Sequence, residues 1–177
     1  VLFPFPKDET FAAARGNMVI IDDVIYAVCY NRWAVTWLEK SEDFGRSWEV
    51  VSWLDERLWT NQIECGRINE ASLGYYDGKM YVVGRQQSEN GDNRLEIGVS
   101  EDLGVTWTWS FLPIEGHAPS LTPYKDAFIL TYRNVKDSNR GKYSFDTVLL
   151  KDGKLASNPA SLFESDNFDV GYGDVLT

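Results

Sequence analysis

Apolar and polar residues alternate along this chain in short runs broken by turn-forming residues, the two-residue period of β-strands. Asn69–Gln87 shows it most clearly. Ala71–Tyr75 and Met80–Gly84 are two apolar, aromatic-rich runs separated by Asp77-Gly78. Asp-Gly in that setting predicts a tight hairpin, because Gly accepts the positive φ of such turns. The start of the first strand then lies beside the end of the second, so the backbone alone brings Glu70 next to Arg85. The same pattern predicts a hairpin of Met18–Ile21 with Val24–Tyr30, strands at Trp33–Ser41 and Trp48–Leu54, and strands at Arg94–Ser100 and Trp107–Leu112. A hairpin of Pro119–Thr122 with Ala127–Tyr132 and a strand at Tyr143–Leu150 follow. Val1–Arg15 reads as an irregular leading segment, Leu58–Ile68 as a connection, and Asp169–Thr177 as the start of another first strand. No stretch has helical periodicity, so the fold class is all-β.

The strands come in repeating units. Ser41-Glu42-Asp43-Phe44-Gly45-Arg46-Ser47-Trp48 and Ser100-Glu101-Asp102-Leu103-Gly104-Val105-Thr106-Trp107 share Ser-x-Asp-x-Gly-x-[Ser/Thr]-Trp, 59 positions apart. Asp22-Asp23…Tyr26 matches Asp77-Gly78…Tyr81 at 55, and Ala71-Ser72-Leu73 matches Pro119-Ser120-Leu121 at 48. The offset of 48 also carries Arg85 onto Arg133. Units of about 50 residues with four short strands predict β-propeller blades, here at roughly 11–58, 66–113 and 117–165, with a further blade starting at 169–177. In the Ser-x-Asp motif the Asp can accept turn N–H groups, Gly allows the turn, and Trp folds back over the blade. A calcium loop would need several alternating oxygen ligands, and the motif offers only Asp43 or Asp102. A structural turn is the better reading, and neither a metal nor a cofactor is expected.

Composition narrows the partners. Seventeen basic and 27 acidic residues give a net charge of −10, which opposes nonspecific nucleic-acid binding. No apolar run is long enough to span a membrane and no signal peptide is visible. The missing initiator Met reads as a processed chain or a fragment. Cys29 lies in an apolar strand and suits a small buried side chain, with a bridge to Cys65 left open. His117 is the single histidine and reads as a loop residue. Tyr75, Tyr76, Trp59 and Trp109 suit core packing better than sugar stacking.

The two Ser-x-Asp-x-Gly-x-x-Trp motifs resemble the Asp-boxes, or bacterial neuraminidase repeats, of the sialidase superfamily, whose members are six-bladed propellers. Asn69-Glu70-x-x-Leu-x-x-x-Asp-Gly…Val-Gly-Arg85 is similar to the sialidase segment with the nucleophile-activating glutamate and, one hairpin later, a carboxylate-binding arginine. Arg133 is similar to another arginine of that triad. Gly171-Tyr172-Gly173-Asp174-Val175-Leu176 resembles the segment bearing the catalytic tyrosine. Arg15 maps onto the Glu70 position and is a candidate first arginine, although the usual Arg-Ile-Pro context is absent, and no aspartate clearly takes the acid role. The resemblance implies a sialidase-like glycoside hydrolase, exo- or endo-acting on a sialylated or other acidic glycan. Arg85, Arg133 and Arg15 would bind the sugar carboxylate, and Glu70 and Tyr172 would act at the anomeric centre. The compartment stays open, with a secreted, cell-surface or virion-associated setting favoured over the cytoplasm. The alternative is a carbohydrate-binding Asp-box propeller without catalysis. Three blades do not close a ring, so flanking sequence or another chain is expected to complete the propeller.

Overall fold

The computed structural model describes residues 12–14, 18–31, 35–54, 67–87, 93–135 and 142–166. They form three antiparallel sheets in chain order, the blades of a partial β-propeller. Blade 1 comprises β1 (Ala12–Ala14), β2 (Val19–Ile21), β3 (Val24–Asn31), β4 (Thr36–Ser41) and β5 (Glu49–Trp53). β1 and β2 both pair with β3 and together fill the inner position. The leading segment therefore contributes a strand at Ala12–Ala14 rather than being wholly irregular. Blade 2 is β6 (Arg67–Tyr76), β7 (Lys79–Gln87), β8 (Arg94–Ser100) and β9 (Thr108–Glu115), each paired with the next. Blade 3 has β10 (His117–Tyr124), β11 (Ala127–Asn134) and β12 (Tyr143–Lys151), with β13 (Lys154–Leu155) and β14 (Ala160–Ser165) both paired to β12. No helix occurs among the described residues.

Blade 2 is apolar on both faces because it is packed on both. Along β7, Tyr81 and Val83 join Leu121, Phe128 and Leu130 of blade 3 in one core cluster. Met80 and Val82 point the other way and join Val28 and Leu38 of blade 1. A strict two-residue alternation thus feeds two cores, which is why Met80–Val83 reads as an unbroken apolar run. Polar pins cross each seam. Thr36 Oγ1 donates to the Ile68 carbonyl between blades 1 and 2, and the Leu121 N–H donates to Ser72 Oγ at 3.0 Å between blades 2 and 3.

The turns follow their sequences. Asp77 and Gly78 have φ of +50° and +75°, and Asp22 and Asp23 have +49° and +65°, so both central residues take the left-handed conformation of a mirror-image turn. In the Ser-x-Asp motifs, Asp102 Oδ1 accepts the Thr106 N–H at 2.9 Å and Oδ2 accepts the Thr106 hydroxyl at 2.6 Å. Ser100 Oγ accepts the Gly104 N–H, and Trp107 Nε1–H donates to the Gly104 carbonyl. Asp43, Ser47, Ser41, Gly45 and Trp48 repeat the same set. These bonds hold both carboxyls down at about 2, with the Ser47 and Thr106 hydroxyls the main donors. The blade 2 turn also reaches blade 1, because Ser52 Oγ–H donates to the Gly104 carbonyl and accepts from Trp107 Nε1–H.

Cys29 is a buried free thiol that donates to Glu39 Oε1 at 3.2 Å. Burial, then the Glu39 charge, pushes its pKa up. Cys65 lies outside the described residues.

Candidate active site

The inner hairpins of blades 2 and 3 carry the same irregularity at the same place. In blade 2, Asn69 pairs with Arg85 and Ser72 with Val83, so Glu70 and Ala71 together face the single residue Gly84. In blade 3, His117 pairs with Arg133 and Ser120 with Thr131, so Ala118 and Pro119 face Tyr132. Each is a β-bulge, which re-aims the side chains around it. The first bulged residue has positive φ in both, +52° at Glu70 and +55° at Ala118. Non-glycine residues held there carry strain, and such strain gathers at functional sites. The Asn69 side chain supports its bulge by accepting the Glu70 N–H at 2.7 Å.

The two bulges touch. Glu70 Oε2 accepts the Ala118 N–H at 3.1 Å, across the seam between blades. The same oxygen lies 3.4 Å from Arg85 Nε, with both side chains largely buried. That separation makes an ion pair without hydrogen-bond alignment.

His117 stands between the two arginines. Arg85 Nη1 is 3.4 Å from its Nε2, and Arg133 Nη2 is 3.4 Å from its Nδ1. Asn93 Oδ1 lies 2.9 Å from Nε2. Taking the shortest contact as the ring's donor bond puts the proton on Nε2, which donates to Asn93 Oδ1; Nδ1 then accepts from Arg133, and Arg85 Nη1 lies against Nε2–H as a packing contact rather than a hydrogen bond. Burial first, then the Arg85 charge, outweigh Glu70 and lower the His117 pKa to about 4. The ring is therefore neutral at pH 7. His117 and Arg133 are only 8% and 4% exposed.

The structure thus brings Glu70, Arg85 and Arg133 into one cluster at the same end of their hairpins. Tyr172 and Arg15 lie outside the described residues. His117 corrects the sequence reading: it is a buried residue of β10 rather than a loop residue. Its signal was present, since the offset of 48 that carries Arg85 onto Arg133 carries Asn69 onto His117. Asn93, just ahead of β8, had no such signal.

Next to Arg133, the Asn134 side chain donates to Asp146 Oδ2 at 2.7 Å. Asn134 also lines two clefts. One, of about 660 Å³, includes Tyr143, Ser144 and Glu164. The other, of about 300 Å³, includes Arg94, Leu112 and Tyr132. Among the described residues no group of three or more His, Cys, Asp or Glu is placed to hold a metal ion. Chemically, two guanidiniums, a neutral imidazole and one carboxylate in a mostly buried cluster suit a small anionic group such as a carboxylate.

No family model and no curated protein matches this chain. Solved structures do. An α-L-arabinofuranosidase of Fusarium graminearum aligns with a TM-score of 0.64 at 18% identity, over 88% of this chain and 49% of its own. A family 43_1 enzyme from Xanthomonas citri gives 0.66 at 12% identity, over 85% and 54%. A family 117 glycoside hydrolase of Zobellia galactanivorans gives 0.62 at 14% identity, over 85% and 56%. The chain spans about half the length of these three structures. At such identities the likeness shows the fold alone, part of a β-propeller of the kind found in glycoside hydrolases.

Proposed function

We propose that this chain carries part of the active site of a sialidase-like glycoside hydrolase, acting on linkages of sialic acid or a similar acidic sugar. The observation that carries the reading is the placement of Arg85 and Arg133, from successive blades, on either side of one imidazole at 3.4 Å each. Paired guanidiniums bind a carboxylate in bidentate fashion. The likeness of fold to glycoside hydrolases and the two Asp-box-like turns support it. In this reading Arg15 joins Arg85 and Arg133 on the sugar carboxylate. The neutral Tyr172 hydroxyl attacks the anomeric carbon while its proton passes to Glu70, the glycosidic C–O bond breaks, and the aglycone leaves with a proton from water; a nucleophile that starts uncharged avoids repulsion by the substrate's own carboxylate.

A second reading, an acidic-glycan-binding propeller without catalysis, is favoured by one contact. Glu70 Oε2 is already engaged by the Ala118 N–H, as a structural staple would be.

A fluorogenic sialoside and a fluorogenic α-L-arabinofuranoside, offered in parallel to the protein, decide between these. The expected result is turnover of the sialoside alone. Tyr172→Phe and Glu70→Gln should lower kcat by about 10²-fold or more, the scale of a lost proton-transfer group. Arg133→Ala should mainly raise KM. Turnover of the arabinofuranoside instead would remove the acidic sugar from the proposal. Sialoside binding without turnover, unchanged by Tyr172→Phe, would establish the second reading.

A further inference from the structure

We infer that His117 is the positioning residue of the anion site, a wedge that accepts a hydrogen bond from Arg133, is anchored by Asn93, and holds the two guanidinium groups apart as a fork. The inference rests on reading Arg85 and Arg133 as carboxylate ligands, and it adds what sets their geometry.

Positions 69 and 117 are equivalent, yet their side chains do different work. In blade 2 the Asn69 oxygen is used locally, on the Glu70 N–H at 2.7 Å. In blade 3 the equivalent N–H, that of Ala118, is taken by Glu70 Oε2 from the neighbouring blade. The side chain at 117 is thereby released from capping its own bulge and reaches the arginines instead. Asn93 fixes the proton on Nε2 at 2.9 Å, so the Nδ1 lone pair faces Arg133 Nη2.

Charge explains why the ring must stay neutral. Among the described residues, the charged groups facing it are Arg85 on β7, Arg133 on β11 and Glu70 on β6, two cations against one anion. Protonation would add a third cation and would set an Nδ1–H donor against the Arg133 N–H donors. The fork would then open. Arg133 is almost wholly buried, so a lost partner cannot be replaced cheaply by solvent.

His117 is the single histidine in the sequence, so ¹⁵N-histidine NMR of the intact protein reports on it without overlap. The expected spectrum is the neutral Nε2–H tautomer at pH 7, with titration near pH 4. An Nδ1–H tautomer, or titration near the ordinary 6.5, would overturn the proposal. The second arm measures binding of N-acetylneuraminic acid and of its methyl ester. His117→Ala should weaken the acid about tenfold, the scale of one hydrogen bond to a charged group, and leave the ester unchanged. If His117→Ala does not fold, His117→Asn serves, since the repeat already uses Asn at the matching place. Equal binding of the acid by a folded variant and the wild type would overturn the wedge. If the wild type binds neither compound, the function reading fails while the NMR arm still decides the wedge.

Discussion

His117 shows how one side chain ties charge to stability. Unfolded, its imidazole titrates near 6.5; folded, at about 4. Between these values the unfolded chain holds the proton and the folded chain does not. Stability therefore rises with pH across that window and is lost as pH falls from 6.5 to 4. The wild type should lose on the order of 2 to 3 kcal/mol more than His117→Asn over that range, read from urea midpoints at each pH. Not every residue at this scale was legible in the sequence. Glu70 and Arg85 were, because a two-residue turn dictates which residues of a hairpin share an end. His117 was misread as a loop residue, because its partner in the repeat is an asparagine, and an unlike residue hides an alignment that like residues reveal. The positive φ of Glu70 also had no local cue, since bulges arise from the register of both strands rather than from one segment.

Among the elements, the two Ser-x-Asp turns are the clearest case of sequence dictating geometry, with the bonds inside the motif made in the same way twice. Their surroundings differ, and that yields a contrast. Gly104 has φ +87°, and a Cβ added there would lie within 2.0 Å of Leu38 Cδ2 in blade 1. Gly78 has φ +75°, but a Cβ there would meet nothing within 4 Å. Gly78→Ala should cost only the left-handed strain, about 1 to 2 kcal/mol. Gly104→Ala should add overpacking of about 1 to 3 kcal/mol to that. Paired thermal melts of the two variants measure the difference. An element the sequence concealed is the outer edge of blade 3. Ala160–Ser165 is almost wholly exposed, with Leu162 at 57% and Phe163 at 48%. A strand with no buried face leaves no alternation to find.

The whole molecule is held by seams between blades, and the seams are polar as well as apolar. Ser72 is fully buried and its hydroxyl receives the Leu121 N–H of the next blade. Ser72→Ala strands that buried donor and should cost about 1 to 3 kcal/mol by urea denaturation. Ser157→Ala removes an equivalent but exposed bond to the Leu149 N–H, and should stay within about 0.5 kcal/mol of wild type. At this scale the repeat spacing and the turn motifs made the blades readable. What they could not supply was the relation between blades, because contacts such as Ser72 to Leu121 join residues with no shared local pattern.

The bond from the Ala118 N–H to Glu70 makes the proposed proton acceptor also a clasp between modules. Any reacting hydroxyl that draws this carboxylate toward itself must loosen the clasp. Hydrogen–deuterium exchange at the Ala118 amide therefore becomes an occupancy gauge: slow while the carboxylate stays seated, faster when a ligand calls it away. An exchange rate at that amide indifferent to a bound acidic sugar would mean that Glu70 never leaves its post, and serves architecture alone.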